Sequence, residues 1–252
     1  PALYYPHNIH FLWSAATMQG QSVLSIESAR RVVANVRVEQ VQAFPTVEFF
    51  RTVPLLSLVR FGRWDDILRE PHPHEGFMFA KSVWHYARGV AYAAKGKGAL
   101  AKSELNELVP LQYDVSVRFL DSRDYPGSLL VGIAIELLRG EIAYRSGSYS
   151  QAITHFSAAV EQQDSLPYTE PPFWYYPTRQ SLGAAMMANG DAQEAEAVFR
   201  RDLELYPHNG WSMFGLLQSL RAQDKNDEAE VARAHFEKAW QFADVELTAA
   251  VL

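Results

Sequence analysis

One stretch of 34 residues, from position 176 to position 209, constrains the fold of this chain more than any other feature. Its marker residues stand on the spacing L-G…A-x-x-x-F…P and are Leu182, Gly183, Ala195, Phe199 and Pro207. This spacing is typical of a repeat of about 34 residues that folds into two antiparallel helices. Arg179 and Met186 replace the Trp and Tyr of the full pattern. A single helical hairpin cannot bury its apolar side, so the pattern predicts that several hairpins stack against each other.

The turns of the other predicted hairpins are marked in the same way, because many helices end at a residue with left-handed backbone. The six turn positions are Gly20, Gly62, Gly96, Gly147, Gly190 and Asp224. A small residue is expected five positions later, where the two helices approach closely. It is alanine in four hairpins, namely Ala101, Ala152, Ala195 and Ala229, whereas Ser25 and Ile67 hold this place in the first two. The sequence therefore predicts an all-α protein, a right-handed α-solenoid of about six helix pairs with loop insertions.

Three stretches rich in turn-forming residues lengthen the spacing between hairpins, at residues 38–45, 110–128 and 164–174. Pro54 is expected to kink or shorten the helix predicted over residues 47–61, because proline lacks the backbone N–H. We expect one solenoid over residues 1–252. The alternative is a subdivision into 1–109 and 129–252, joined by the insert 110–128.

Charge and composition exclude several classes of function. The net charge is −6, and the 23 Lys and Arg residues are scattered rather than clustered. A nucleic-acid or anionic-membrane binder would show a basic face, so neither partner is expected. The chain has no Cys, which removes thiolate nucleophiles and Cys-ligated metals. No apolar run approaches the length of a membrane span. The compartment stays open, with the cytoplasm favoured, and the start at Pro1 indicates a fragment or a processed form.

The familiar motifs of catalysis are absent from the sequence. It contains no phosphate-binding G-x-x-x-x-G-K-[ST] loop, no G-x-G-x-x-G after a strand, no H-E-x-x-H and no G-x-S-x-G. Whether the chain is an enzyme stays open, and binding is expected rather than catalysis.

His7 and His10 form the first candidate site. They are three residues apart, which places both on one face of a helix. Two imidazoles can bind a divalent metal, but zinc sites usually have three or four protein ligands. A third ligand would come from His85, Glu48, Glu141 or a region upstream. The alternatives are contact with a ligand other than a metal, capping of the helix, or hydrogen bonding within a packed groove.

The third insert carries the second candidate site, a rigid recognition surface. Prolines on both sides of its aromatic residues fix the backbone, and Trp, Tyr and Arg dominate the energetic centres of binding interfaces. The candidate partner-binding residues here are Tyr168, Glu170, Trp174, Tyr175 and Arg179. The alternative is that this segment merely packs over the seam between repeats.

Two further helices supply candidate groove residues. Tyr86 is placed to face the groove, and Arg88 is expected to pair with a carboxylate such as Glu141 or with a ligand anion. His85 stands where the repeat pattern has Trp, so we expect it to pack. Trp211 belongs to an aromatic and basic stripe near the end of the chain, for which core packing is the favoured interpretation.

Three stretches resemble the C-terminal half of a group of bacterial tetratricopeptide-repeat proteins. They are residues 5–11 (YPHNIHF), 140–144 (GEIAY) and 166–183 (LPYTEPPFWYYPTRQSLG). The resemblance covers nearly the whole chain and implies an all-helical solenoid. It also implies a further His-rich repeat upstream of His7 and His10, but no settled activity.

The sequence as a whole predicts a scaffold that binds a peptide or protein partner in its concave groove. The alternative is a metal-dependent enzyme or a small-molecule-binding protein that uses His7 and His10, with Glu170 or Glu141 expected nearby. A divalent metal is the one cofactor for which the sequence gives any reason. A homo-oligomer, or the missing N-terminal segment of the same protein, is a further expected partner.

Overall fold

The computed structural model describes residues 4–251, in which all regular structure is helical. Fourteen α-helices and one 3-10 helix, Pro45–Arg51, occur in this part of the chain. The α-helices are α1 (Tyr4–Met18), α2 (Ser22–Ala34), α3 (Val38–Ala43), α4 (Val53–Arg60), α5 (Trp64–Arg69), α6 (Met78–Ala94), α7 (Gly98–Leu111), α8 (Val115–Asp121), α9 (Gly127–Arg145), α10 (Tyr149–Asp164), α11 (Arg179–Asn189), α12 (Ala192–Leu205), α13 (Gly210–Ala222) and α14 (Asn226–Ala239). None of these helices combines the length and the apolar character that a bilayer crossing needs.

Twelve of the α-helices form six consecutive hairpins: α1–α2, α4–α5, α6–α7, α9–α10, α11–α12 and α13–α14. The all-helical fold is therefore confirmed, with helices that pack in chain order as in an α-solenoid. Each hairpin turns at one of the six expected residues, and all six have positive φ, from 58° at Asp224 to 93° at Gly190. Ser25 and Ile67, the exceptions to the alanine pattern, are fully buried at the equivalent place.

The three expected inserts lie between hairpins. The first contains α3 and the 3-10 helix, the second contains α8, and the third is a loop of residues 165–178 between α10 and α11. Pro54 lies in the first turn of α4, where a backbone N–H has no partner within the helix, so its absence costs no hydrogen bond. The helix predicted over residues 47–61 is accordingly split, as expected. Hairpins on either side of the second insert pack directly through α6 and α9.

Close packing between the helices depends on glycines seven residues before a turn. A methyl group at Gly140 would overlap with the ring of Phe156, and one at Gly183 with the ring of Phe199. Phe199 is fully buried and is also covered by Gly215 of the next hairpin. The Gly–Phe pair of the repeat pattern is therefore a packing contact.

The last hairpin meets the first. The indole of Trp211 on α13 donates to the carbonyl of Thr17 on α1 at 3.2 Å. Trp240, just after α14, packs closely on Gly20 and Gly210. Trp240 therefore seals the junction between the two ends of the stack.

Gly183→Leu is expected to lower the unfolding free energy by about 2–4 kcal/mol, because the added side chain overlaps with Phe199 in a closed seam. Gly98→Leu is the matched control, since nothing lies within 4 Å of a Cβ at that position. Urea unfolding measures both. Equal stability of the two variants would show that this contact does not hold the seam.

Candidate functional site

The first helix of each hairpin contributes to a common inner face. We define the inner face as the surface on which side chains of α1, α4, α6, α9, α11 and α13 meet. Two non-helical segments lie against it. One is the loop 165–178, and the other is the segment 245–251, which we call the C-terminal segment.

Arg60 of α4 lies at the centre of the inner face and is 4% exposed. Its guanidinium carbon is 3.6 Å from the ring centre of Trp211 and 4.9 Å from that of Tyr176. It donates to the side-chain oxygen of Gln180 at 2.5 Å. Burial lowers the pKa of Arg60 to about 10, so the group still carries its charge at neutral pH. Among the residues that the structure describes, no carboxylate forms an ion pair with it.

A chain of hydrogen bonds continues from Arg60 into the last two hairpins. The amide of Gln180 donates to Ser212 at 3.1 Å, and Ser212 donates to the carboxylate of Asp202. Burial raises the pKa of Asp202 to about 6. The guanidinium and the carboxylate are thus linked through two neutral groups rather than directly.

Three tyrosines pack beside Arg60. The hydroxyls of Tyr86 and Tyr175 are 3.0 Å apart, and Tyr176 is 2.8 Å from Ser181. Burial raises the pKa of all three phenols, so they are uncharged at neutral pH.

Four of the predicted partner-binding residues are buried in this structure. They are Tyr86, Trp174, Tyr175 and Trp211, with exposed fractions of 2%, 3%, 7% and 0%. Trp211 packs in the core, as favoured from the sequence. For the other three, a role in contacting a partner stays a prediction.

Arg88 pairs with a carboxylate, as expected, but this carboxylate is Glu104 rather than Glu141. Arg88 pairs with Glu104 of α7 at 2.9 Å, because Glu104 faces it across the hairpin. Glu141 lies on α9 and is held by Arg145 one turn along the same helix. His85 is buried and shares Glu104 with Arg88, at 2.7 Å, which fits the expected packing role.

The loop 165–178 is closed at its base. Gln163 accepts from the backbone of Thr178 at 2.7 Å and donates to the carbonyl of Tyr176 at 3.0 Å. Arg179 makes a two-bond ion pair with Asp164. Arg179 therefore anchors the loop. Tyr168 and Glu170, near the tip, are exposed and bonded to each other.

A pocket of about 180 Å³ lies between this loop and α1. Its aromatic lining consists of Trp13, Phe49, Phe79, Tyr125, Phe173, Trp174 and Tyr175. We call it the aromatic pocket. His7, His10 and Glu170 also line it, so the structure brings together the imidazole pair and the third insert.

His10 is almost enclosed within the aromatic pocket. Its ring stacks on Trp13 at 5.0 Å and meets the edges of Phe49 and Phe50 at 5.3 and 5.4 Å. Burial, helped by the neighbouring His7, lowers the pKa of His10 to about 4. The imidazole is therefore neutral at pH 7. His7 itself is exposed at the mouth.

The other candidate metal ligands lie elsewhere. Glu48 accepts the backbone N–H of Ala80 at 2.8 Å, at the beginning of α6, and burial raises its pKa to about 7. Within residues 4–251 as described, no group of three or more His, Asp or Glu residues is arranged to hold a metal ion. The metal site at His7 and His10 stays a prediction.

Sequence reasoning missed several residues of this region. Trp13 follows His10 by three positions on α1, so the helical period alone places it on the same face. Arg60 gave no local signal, since its ring partners lie more than a hundred residues along the chain.

Comparison of the chain with protein-family models, with curated proteins and with solved structures gives no match in any of the three.

The depressed pKa of His10 predicts a loss of stability in acid. Its folded value is about 4, below the ordinary value of about 6.5, so the unfolded chain takes up the proton first as the pH falls. Stability is lost from about pH 6.5 downward until His10 is protonated in the folded state near pH 4.

His10→Phe removes this loss. Going from about pH 7 to about pH 5 should therefore cost the variant about 2 kcal/mol less unfolding free energy than it costs the parent. Urea unfolding of both proteins at the two pH values measures the difference. The same loss in parent and variant would contradict the prediction.

Proposed function

We propose that this chain is a helical-repeat scaffold of the tetratricopeptide type, which binds a non-helical peptide segment of a partner protein on its inner face. The repeat assignment is supported by the six positive-φ turns and by the contacts of Gly140 and Gly183 with the aromatic residue on the second helix of each hairpin. A repeat scaffold binds partners with a surface rather than with a catalytic group.

The observation that carries the proposal is a non-helical segment already lying on that surface. Gln218 of α13 donates its side-chain amide to the backbone carbonyl of Thr248 at 3.0 Å. Ala250 is 1% exposed and packs with Leu216 and Leu217. Val251 reaches the centre and lines a small cavity together with Arg60. The inner face thus accepts a non-helical backbone with small apolar side chains.

The C-terminal segment is held in place from its near end. The carboxylate of Asp244 accepts the backbone N–H groups of Ser22 and Val23 at 2.6 and 3.0 Å, at the beginning of α2. A carboxylate is favoured there by the unpaired N–H groups and the helix dipole. The indole of Trp240 donates to the carbonyl of Val245 at 2.9 Å. These bonds tie the segment to both ends of the stack.

A partner peptide would occupy the place that the C-terminal segment fills. Residues 247–251 read Leu-Thr-Ala-Ala-Val, which is uncharged and mostly small and apolar. The partner is expected to offer a similar run in non-helical form, with a carbonyl for Gln218. Its affinity is reduced by the competing segment, so any change that loosens the segment should strengthen binding.

Asp244→Ala is expected to increase the affinity of the full chain for a fluorescent peptide of residues 245–251 by about tenfold or more. The variant loses two bonds to a charged acceptor, each with a typical net value of about 1.5–3 kcal/mol, and a factor of ten corresponds to about 1.4 kcal/mol. Fluorescence anisotropy measures the dissociation constants of the peptide from the parent and from Asp244→Ala.

Asp227→Ala serves as the control, because Asp227 is an exposed aspartate in the first turn of α14. It should bind the peptide as the parent does. If Asp244→Ala and Asp227→Ala bind the peptide equally, the segment does not compete for the inner face and the proposal fails.

A further inference from the structure

The aromatic pocket is enclosed by parts of the chain that are distant in sequence. Its floor comes from α1, α4 and α6, and the loop 165–178 covers it. Gln163 and the ion pair of Arg179 with Asp164 hold the loop in place. The pocket has its own lining. It includes neither Gln218, which contacts the C-terminal segment, nor Ala250, which lies within that segment.

The lining of the pocket is almost free of charge. Among the described residues that line it there is no Lys or Arg, and the one carboxylate, Glu170, is exposed at the mouth. His10 is neutral at pH 7, because burial disfavours its charged form. An anionic ligand would meet no cation inside and would pass a carboxylate on entry.

Two buried hydrogen-bond donors in the lining have no acceptor. The indole N–H groups of Trp13 and Trp174 have no partner among the described residues, and both side chains are 3% exposed. Buried donors are normally satisfied, so each unpaired indole needs an explanation such as a bound group that is not part of the chain.

We propose that the aromatic pocket binds a small, uncharged aromatic molecule that carries a hydrogen-bond acceptor such as a carbonyl oxygen. The aromatic rings of the lining receive the ring of the ligand, and the indole N–H of Trp13 or Trp174 donates to its acceptor. This site is separate from the peptide-binding function proposed above and extends it by a second ligand of a different class.

The volume of the pocket sets the size of the ligand. An apolar cavity of about 150 Å³ admits benzene, and this pocket measures about 180 Å³. A single ring with a substituent of two or three atoms therefore fits, whereas a fused polycyclic molecule does not. Acetophenone has this size and one carbonyl acceptor, so it is the probe of choice.

The experiment follows the indole N–H signals of the full chain by two-dimensional NMR on ¹⁵N-labelled protein during titration with acetophenone. The chain has 6 Trp residues, and the signals of Trp13 and Trp174 are assigned with Trp13→Phe and Trp174→Phe. We expect acetophenone to shift at least one of these two signals. Ethylbenzene, which has nearly the same shape but no acceptor, and benzoate, which is an anion, should each bind at least about fivefold more weakly, as the loss of one hydrogen bond implies.

The variants separate hydrogen bonding from packing. When the donating Trp is replaced with Phe, a ring remains in the wall of the pocket. The affinity for acetophenone should therefore fall about fivefold, while the affinity for ethylbenzene stays the same. Trp84→Phe is the control, since Trp84 does not line the pocket and its indole already donates to Glu70. Equal affinity for acetophenone and ethylbenzene, or no shift of either indole signal at millimolar acetophenone, would overturn the proposal. Neither result depends on the C-terminal segment.

Discussion

A buried guanidinium without a carboxylate beside it is the constraint on which the rest of this structure depends. Removing such a charge from water costs several kcal/mol. Arg60 meets this cost with two aromatic faces, those of Trp211 and Tyr176, and with the amide oxygen of Gln180. A desolvated cation over an aromatic ring is worth about 2 kcal/mol or more. Because these partners come from α13, from the loop 165–178 and from α11, the charge is stable only while hairpins from both halves of the chain stay together.

This closure determines what is left of the inner face. In an open stack of hairpins, the first helices would present a continuous groove. Here the loop 165–178 covers the part next to α1, and the C-terminal segment lies along α13. One element thus leaves an aromatic pocket beneath it, while the other occupies the surface on which we propose that a partner peptide binds. The two proposed ligands follow from two different ways of filling one surface.

The all-helical fold and the positions of its hairpin turns could be predicted from sequence because their signals are local. A left-handed turn residue, an alanine five positions later and a Gly–Phe contact are all set within one hairpin, and they located all six turns. The sequence also placed His7, His10 and Glu170 in one neighbourhood. It could not show that Tyr86 is covered, because that burial depends on contacts with Trp174 and Tyr175 of the loop 165–178. For Arg88 the sequence indicated a carboxylate partner and gave Glu141 as an example, whereas the structure pairs Arg88 with Glu104 across the hairpin.

The closure can be measured directly, since the chain has no native Cys to interfere with labelling. Spin labels are attached at Glu27→Cys of α2 and His235→Cys of α14, both exposed positions. Pulsed electron paramagnetic resonance then reports the distance between the first and last hairpins. We predict one narrow distance distribution in the parent, and a broader distribution that extends to longer distances when Arg60→Ala is added. A narrow distribution that Arg60→Ala leaves unchanged would contradict this prediction, because the ends of the stack would then be held together without the buried charge.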